Sequence, residues 1–213
     1  RVLAIGAHPD DIEPQIGGTL CRMANEGADI INISATTTLT GATYEVRHSE
    51  GKEAAKIIGC KYLNLEMDQE SLDFSRENIK VFDQVILSHD PDLIFTMSST
   101  DSHNDHQSVN KCVISAARKN KCSIIELNQA LPGGINTPKL NYFSDISKCA
   151  DKKYQAIECY ESQITKFGPN WLEMIKARDI FWGLNMGLGK VEAANIIKWI
   201  YKCICFNFEF NII

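Results

Sequence analysis

The chain of 213 residues carries 27 acidic and 22 basic side chains, a formal net charge of −5, and is 44% hydrophobic and 23% charged. Those proportions belong to a globular chain that buries a full core, and the length fits one α/β domain over residues 1–213. Mild acidity argues against a nucleic-acid binder, which needs a basic stripe to displace counterions from phosphates. No apolar run reaches the ~20 residues that cross a bilayer, and the nearest, close to the C-terminus, is broken by Lys198, Lys202, Asn207 and Glu209. No signal-peptide pattern opens the sequence, and the eight cysteines are scattered without a CxxC pair. Cys112, between Val109 and Val113, reads as a small buried hydrophobe. Reduced thiols in a cytoplasmic protein are the expectation. Cys203 and Cys205 would share one face of a strand, but two thiolates alone make a poor metal site.

In chain order, Val2–Ala7 is continuously apolar and stops at His8-Pro9. Ile16, Leu20 and Met23 recur at helical spacing before Gly27, and Ile30–Ala35 is strand-like, followed by a Thr-rich loop. Val46, Ala54, Ile57 and Ile58 mark a second helix closed by Gly59; Tyr62–Leu65 is a short strand. Ile79, Phe82, Val85 and Ile86 mark a third helix, broken by Asp90-Pro91, and Asp92–Met97 is another buried strand. Val109, Cys112, Val113, Ala116 and Ala117 form a further helical stripe, with Ser123–Leu127 a strand after it. This βα alternation predicts a Rossmann-like three-layer sandwich with a mostly parallel sheet. Beyond it, Leu131-Pro132-Gly133-Gly134 reads as a loop, Leu140–Ile146 as a strand, and Tyr154, Ile157 and Ile164 as one helix. Trp171, Leu172, Met174 and Ile175 mark another helix after Pro169, and Cys203–Ile213 alternates weakly like a strand.

Two polar clusters fall just past the C-terminal ends of parallel strands, the edge where open α/β sheets bind ligands. The first is Ala7-His8-Pro9-Asp10-Asp11-Ile12-Glu13 and the second Ser102-His103-Asn104-Asp105-His106; together they hold three of the five histidines. Taken singly, Asp10 and Asp11 could cap the next helix and His106 could be a helix-start histidine. Taken together, His8, Asp11 and His106 make a two-histidine, one-carboxylate set with open coordination positions, as a catalytic zinc requires. Asp10 is then the available general base for an acidified water, and His103 can donate to an oxyanion or protonate a leaving amine. Asp105 can fix a histidine tautomer through a hydrogen bond. The set is chemically complete for hydrolysing an amide. The same triad supports Fe(II)-dependent oxygenases, whose usual setting is a β-rich barrel. A catalytically silent sugar-binding module is the non-enzymatic alternative. Gly6-x-His8 is not a phosphate-cradling glycine loop.

The A-H-P-D-D-I-E segment with Gly17-Gly18-Thr19-Leu20 resembles the first motif of the LmbE-like (PIG-L) zinc de-N-acetylases. Pro91-Asp92-Leu93-Ile94-Phe95-Thr96 running into His103-x-Asp105-His106 resembles their second motif, and Arg47-His48-Ser49-Glu50 with Ala54-Ala55 their R-x-x-E helix. Tyr160-Glu161-Ser162-Gln163, Ala177-Arg178 and Glu192-Ala193 are similar to later landmarks, so the likeness runs to about Ile197. The resemblance implies one Zn²⁺ per chain on His8, Asp11 and His106, Asp10 as base, His103 stabilising or protonating the intermediate, and Arg47 lining the substrate pocket. It implies a small-molecule N-acetylated amino sugar as substrate and allows trimers or hexamers. Ser102 stands where many relatives carry an aromatic, Asn104 where they carry proline, and Gly41-Ala42 where a glutamate often follows the glycine. These departures bear on pocket shape more than on metal binding.

Overall fold

A computed structural model describes residues 1–36, 42–128 and 140–200. The first half alternates β1 (Val2–Gly6), α1 (Ile12–Asn25), β2 (Ile30–Thr36), α2 (Tyr44–Ile58), β3 (Lys61–Met67), α3 (Arg76–His89), β4 (Leu93–Thr96), α4 (Asn104–Ala116) and β5 (Ser123–Glu126). The second half contributes β6 (Tyr142–Asp145), α5 (Ala150–Glu158), α6 (Glu161–Phe167), α7 (Asn170–Met186) and β7 (Val191–Lys198). The strands form one seven-stranded sheet in the order β3-β2-β1-β4-β5-β7-β6. β1 to β5 are parallel, whereas β7 runs antiparallel to both β5 and β6. The three-layer α/β expectation holds: α1 and α2 pack with α5, and α3 packs with α4.

β1 is buried along its whole length and lies between β2 and β4, with Ile5 opposite Ile33 on one side and Thr96 on the other. The chain leaves β1 toward β2 and β3, then α3 carries it back across β1 to β4. The strand order therefore reverses between β1 and β4, which opens a crevice at their C-terminal ends. Local chemistry sets the helix ends. Thr43 accepts from the Val46 N–H to begin α2, and Gly59, at φ 90°, closes it in the left-handed conformation. Ser75 likewise caps α3. On α4 the whole expected stripe, from Val109 through Ala117, is buried.

Two features depart from the sequence expectations. The helix expected through Tyr154, Ile157 and Ile164 is two helices, because Tyr160 leaves helical geometry (φ −85°, ψ 61°) and its buried hydroxyl donates to the Pro9 carbonyl. β7 was legible only as the pair Glu192-Ala193, since its burial fades along the strand and no clean alternation marks it. The Leu131–Gly134 loop, Gly41 and the Cys203–Ile213 strand fall outside the described residues. Among the described residues no helix is long and apolar enough to cross a membrane.

The second half is fastened to α1 by buried charge. Lys153 Nζ lies 2.7 Å from Asp179 Oδ2 and 2.9 Å from Glu192 Oε1, with all three side chains buried. The Glu192 carboxylate also accepts from the Gly18 N–H (2.9 Å), the Thr19 N–H (2.7 Å) and the Thr19 hydroxyl (2.6 Å). Gly18 has no room for a side chain, since a Cβ there would sit 2.8 Å from the Cβ of Ile146. Removing one member of such a network strands the others without solvent. Lys153→Ala should therefore lower unfolding stability by about 3–5 kcal/mol, read from urea denaturation; a loss below about 1 kcal/mol would show that the network contributes little.

Candidate active site

The loop after β1 and the start of α4 meet across the β1–β4 crevice. Asp11 opens α1 but does not cap it: its Oδ2 turns back to accept from the N–H groups of Ala7 (2.8 Å) and His8 (2.7 Å). That leaves Oδ1 facing His106, whose Nε2 lies 3.1 Å away, while His8 Nδ1 lies 3.6 Å from Oδ2. Donor atoms of His8, Asp11 and His106 lie within 4.8 Å of one another, and all three residues are buried.

Each histidine has a second carboxylate at its other nitrogen. His8 Nε2 is 2.9 Å from Asp105 Oδ2, which also accepts from Gln69 Nε2 at 3.1 Å. His106 Nδ1 is 3.0 Å from Asp101 Oδ2, in contact but out of hydrogen-bond alignment. Burial alone would lower both histidine pKa values. The Asp11 charge, with Asp105 or Asp101 behind it, outweighs burial and raises His8 to about 9 and His106 to about 10. Burial would raise Asp11, and the two imidazoles outweigh it to hold the carboxyl well below the usual range. A buried carboxylate that gathers two imidazoles, each backed by a further carboxylate, is a donor set that fits a divalent transition metal. A bound cation would take the place of the imidazole protons.

His103 stands at the N-cap of α4, and its Nδ1 accepts from the Asp105 N–H at 3.2 Å. A neutral ring therefore carries its hydrogen on Nε2. Burial, then the neighbouring His106 and His8, lowers its pKa, which favours that neutral form. Its ring stacks on His106 with centroids 4.6 Å apart and meets His8 edge-on at 5.0 Å.

His8, Asp10, Asp11, His103 and His106 all line one cleft of about 290 Å³. Asp101 and Ser102 before α4, Pro14 and Gln15 of α1, Gln69 beyond β3, and Gln163, Lys166, Phe167 and Trp171 at the α6–α7 corner complete its wall. Asp105 is not on that wall; it sits behind His8. Arg47, expected to line the pocket, is not on it either. The side chain is fully buried and donates to Asp10 Oδ1 from behind. The reason is local: α2 packs this face inward, and Asp10 with Glu50 neutralises the guanidinium where water cannot reach.

Sequence reasoning passed over Asp101, Gln69 and the aromatic pair Phe167 and Trp171. Asp101 had a signal, an acid two residues before His103 whose Oδ1 accepts the His103 N–H at 2.9 Å. Gln69 had none, because only the crossover from β3 brings it to the cleft.

Comparison with known proteins places the chain in a family. A family model described as PIG-L, GlcNAc-PI de-N-acetylase, matches residues 3–117. The chain is 34% identical over 126 residues to the uncharacterized deacetylase YaiS of Escherichia coli, across 55% of this chain and 68% of that protein. It is 26% identical over 230 residues to the diacetylchitobiose deacetylase of Thermococcus kodakarensis, covering 96% and 86% respectively. Among solved structures, the conserved protein TT1542 of Thermus thermophilus superposes with a TM-score of 0.82 at 25% identity, over 94% of this chain and 96% of that one. With the first two strand-end motifs inside the matched span and the sheet carrying them to one crevice, the chain belongs to the PIG-L family.

Proposed function

We propose that the protein is a metal-dependent N-deacetylase that hydrolyses the acetamide of an amino-sugar conjugate. The observation that carries this reading is the convergence of His8, Asp11 and His106 in one cleft whose wall also holds Asp10 and His103. His8, Asp11 and His106 would hold one zinc, which supplies Lewis acidity toward the acetamide oxygen and lowers the pKa of water. Asp10 accepts the proton of the attacking water on the oxygen that Arg47 does not hold. His103 presents its Nε2 hydrogen to the oxygen that becomes negative as water adds to the carbonyl carbon. The C–N bond then breaks, the proton gathered by Asp10 passes to the departing nitrogen, and acetate and a free amine leave. Asp105, behind His8, and Asp101, beside His106 on the cleft wall, orient the two imidazoles. The seven-stranded α/β sheet is not the β-rich barrel that usually houses Fe(II) oxygenases, which favours hydrolysis for the same triad.

The rest of the wall suits a sugar. Carboxamides of Gln15, Gln69 and Gln163 match hydroxyl groups as both donors and acceptors. Phe167 is 43% exposed although large and apolar, packs at 5.5 Å against Trp171 and has Lys166 Nζ 5.0 Å from its ring centroid, so the pair would give a pyranose both apolar surface and a cation. At about 290 Å³ the cleft matches one sugar ring better than a long oligosaccharide.

Three outcomes test this reading. Zinc-loaded protein should release acetate from N-acetylglucosamine or N,N′-diacetylchitobiose, and Asp10→Asn should keep fold and metal while losing about 10²–10⁴-fold in kcat; parental turnover in that variant would remove Asp10 as base. Asp101→Asn should weaken zinc affinity by about 10–100-fold in competition with a chromophoric chelator, and unchanged affinity would deny Asp101 its orienting part. Phe167→Ala should raise KM by about 2–12-fold, equivalent to about 0.5–1.5 kcal/mol, with kcat retained. An unchanged KM would place the sugar elsewhere.

A further inference from the structure

The geometry points to Arg47 as a positioning residue that acts through Asp10, held in register by Glu50 and by the Tyr160–Ser162 junction of the second half. This inference rests on the reading of Asp10 as the base and adds what aims it. The Arg47 guanidinium is fully buried and lies off the cleft wall, bonded to Asp10, which lines it. The guanidinium fork is occupied on both prongs. Nη2 donates to Asp10 Oδ1, and Nη1 donates to Glu50 Oε2 (3.3 Å) and Ser162 Oγ (3.2 Å).

Glu50 is itself clamped, since Ser162 donates its N–H to Oε1 at 2.8 Å and its hydroxyl to Oε2 at 2.6 Å. The guanidinium is thus one link in a row that runs Asp10, Arg47, Glu50, Ser162, in which Arg47 is fully buried and only Asp10 reaches the cleft. Tyr160 completes the hold. Its hydroxyl donates to the carbonyl of Pro9, the residue before Asp10, and its ring centroid lies 5.7 Å from Arg47 Cζ. Asp10 is therefore tethered twice, once at Oδ1 and once through the preceding peptide. With Oδ1 taken, a proton accepted by Asp10 goes to Oδ2, so the row selects which oxygen works and where it stands. Both tethers arrive from α2 and from residues 160–162, and the latter lie beyond the 3–117 span of the family match.

A lysine at position 47 keeps the charge but has no planar fork to span Asp10 and Glu50 together. Misplacing a reacting group by about 1 Å costs on the order of 100-fold in rate. The test compares Arg47→Lys and Ser162→Ala, each alone and in the Asp10→Asn background, by kcat and KM on the acetylated sugar, zinc content and melting temperature. Expected is a kcat loss of about 10–100-fold for Arg47→Lys and a smaller one for Ser162→Ala, with KM and zinc content unchanged. On Asp10→Asn, Arg47→Lys should add less than about twofold, because its effect runs through the carboxylate already removed.

A rise in KM at constant kcat would overturn the inference in favour of a pocket contact. A lower melting temperature with kcat intact would overturn it in favour of a purely structural part. A full additional loss on Asp10→Asn would overturn it by showing that Arg47 acts independently of Asp10. Should Arg47→Lys not fold, Glu50→Gln carries the same comparison, since it removes the charge that holds the far prong. Asp10→Asn turning over like the parent would overturn both the base and its tether, whereas an Asp10-dependent enzyme indifferent to Arg47→Lys would overturn the tether alone.

Discussion

Everything at the site depends on the parallel pairing of β1 with β4. The two strands are adjacent in space but separated by more than eighty residues, and their register sets Ile5 beside Thr96. Because both run the same way, the segments that leave them emerge at one edge. His8 and Asp11 come from the first and His103 and His106 from the second. An antiparallel pairing would have sent one cluster to each end of the sheet. The reversal of strand order between β1 and β4 also keeps any helix from covering the gap, so the donors sit in a crevice rather than under a layer.

The electrostatics around that crevice are arranged by alternation. Asp11 faces two imidazoles, and each imidazole faces a further carboxylate outward, so no charge in the row lacks an opposite neighbour. Asp10 is treated the same way, with Arg47 and then Glu50 behind it. Beneath them Glu13 accepts from Asn32 Nδ2 at 2.8 Å, and burial pushes its carboxyl up to about 8. That shift favours the neutral carboxyl, which adds no charge beside Asp10 and Asp11.

What could be read from the amino acids follows a physical division. The five parallel strands and their helices were legible because buried strands leave apolar runs and half-buried helices leave stripes such as Val109 to Ala117. The candidate metal donors were legible because His8, Asp11 and His106 lie in short clusters at strand ends. Arg47 was legible as a residue of consequence and not as to its direction, since whether a helical arginine faces in or out depends on what packs over α2. The break at Tyr160 and the course of β7 escaped because both are imposed from a distance, by the Pro9 carbonyl and by the carboxylate network of Lys153 and Glu192. Gln69 and Phe167 escaped because a crossover and a helix corner bring them in, which no local pattern encodes.

The position of β7 bears on the order in which the chain can assemble. β6 is synthesised first, yet it joins the sheet only through β7, which follows it by about fifty residues and lies between it and β5. On a ribosome, the parallel strands and the His8, Asp11 and His106 cluster can therefore gather while β6 still has no neighbour to pair with. Of the contacts that hold Asp10, Arg47 and Glu50 of α2 come early, and those of Tyr160 and Ser162 come after β6. On the proposed reading, a nascent chain would gather its candidate metal donors before the Tyr160 and Ser162 contacts that steady Asp10, and β7 would close the sheet after both.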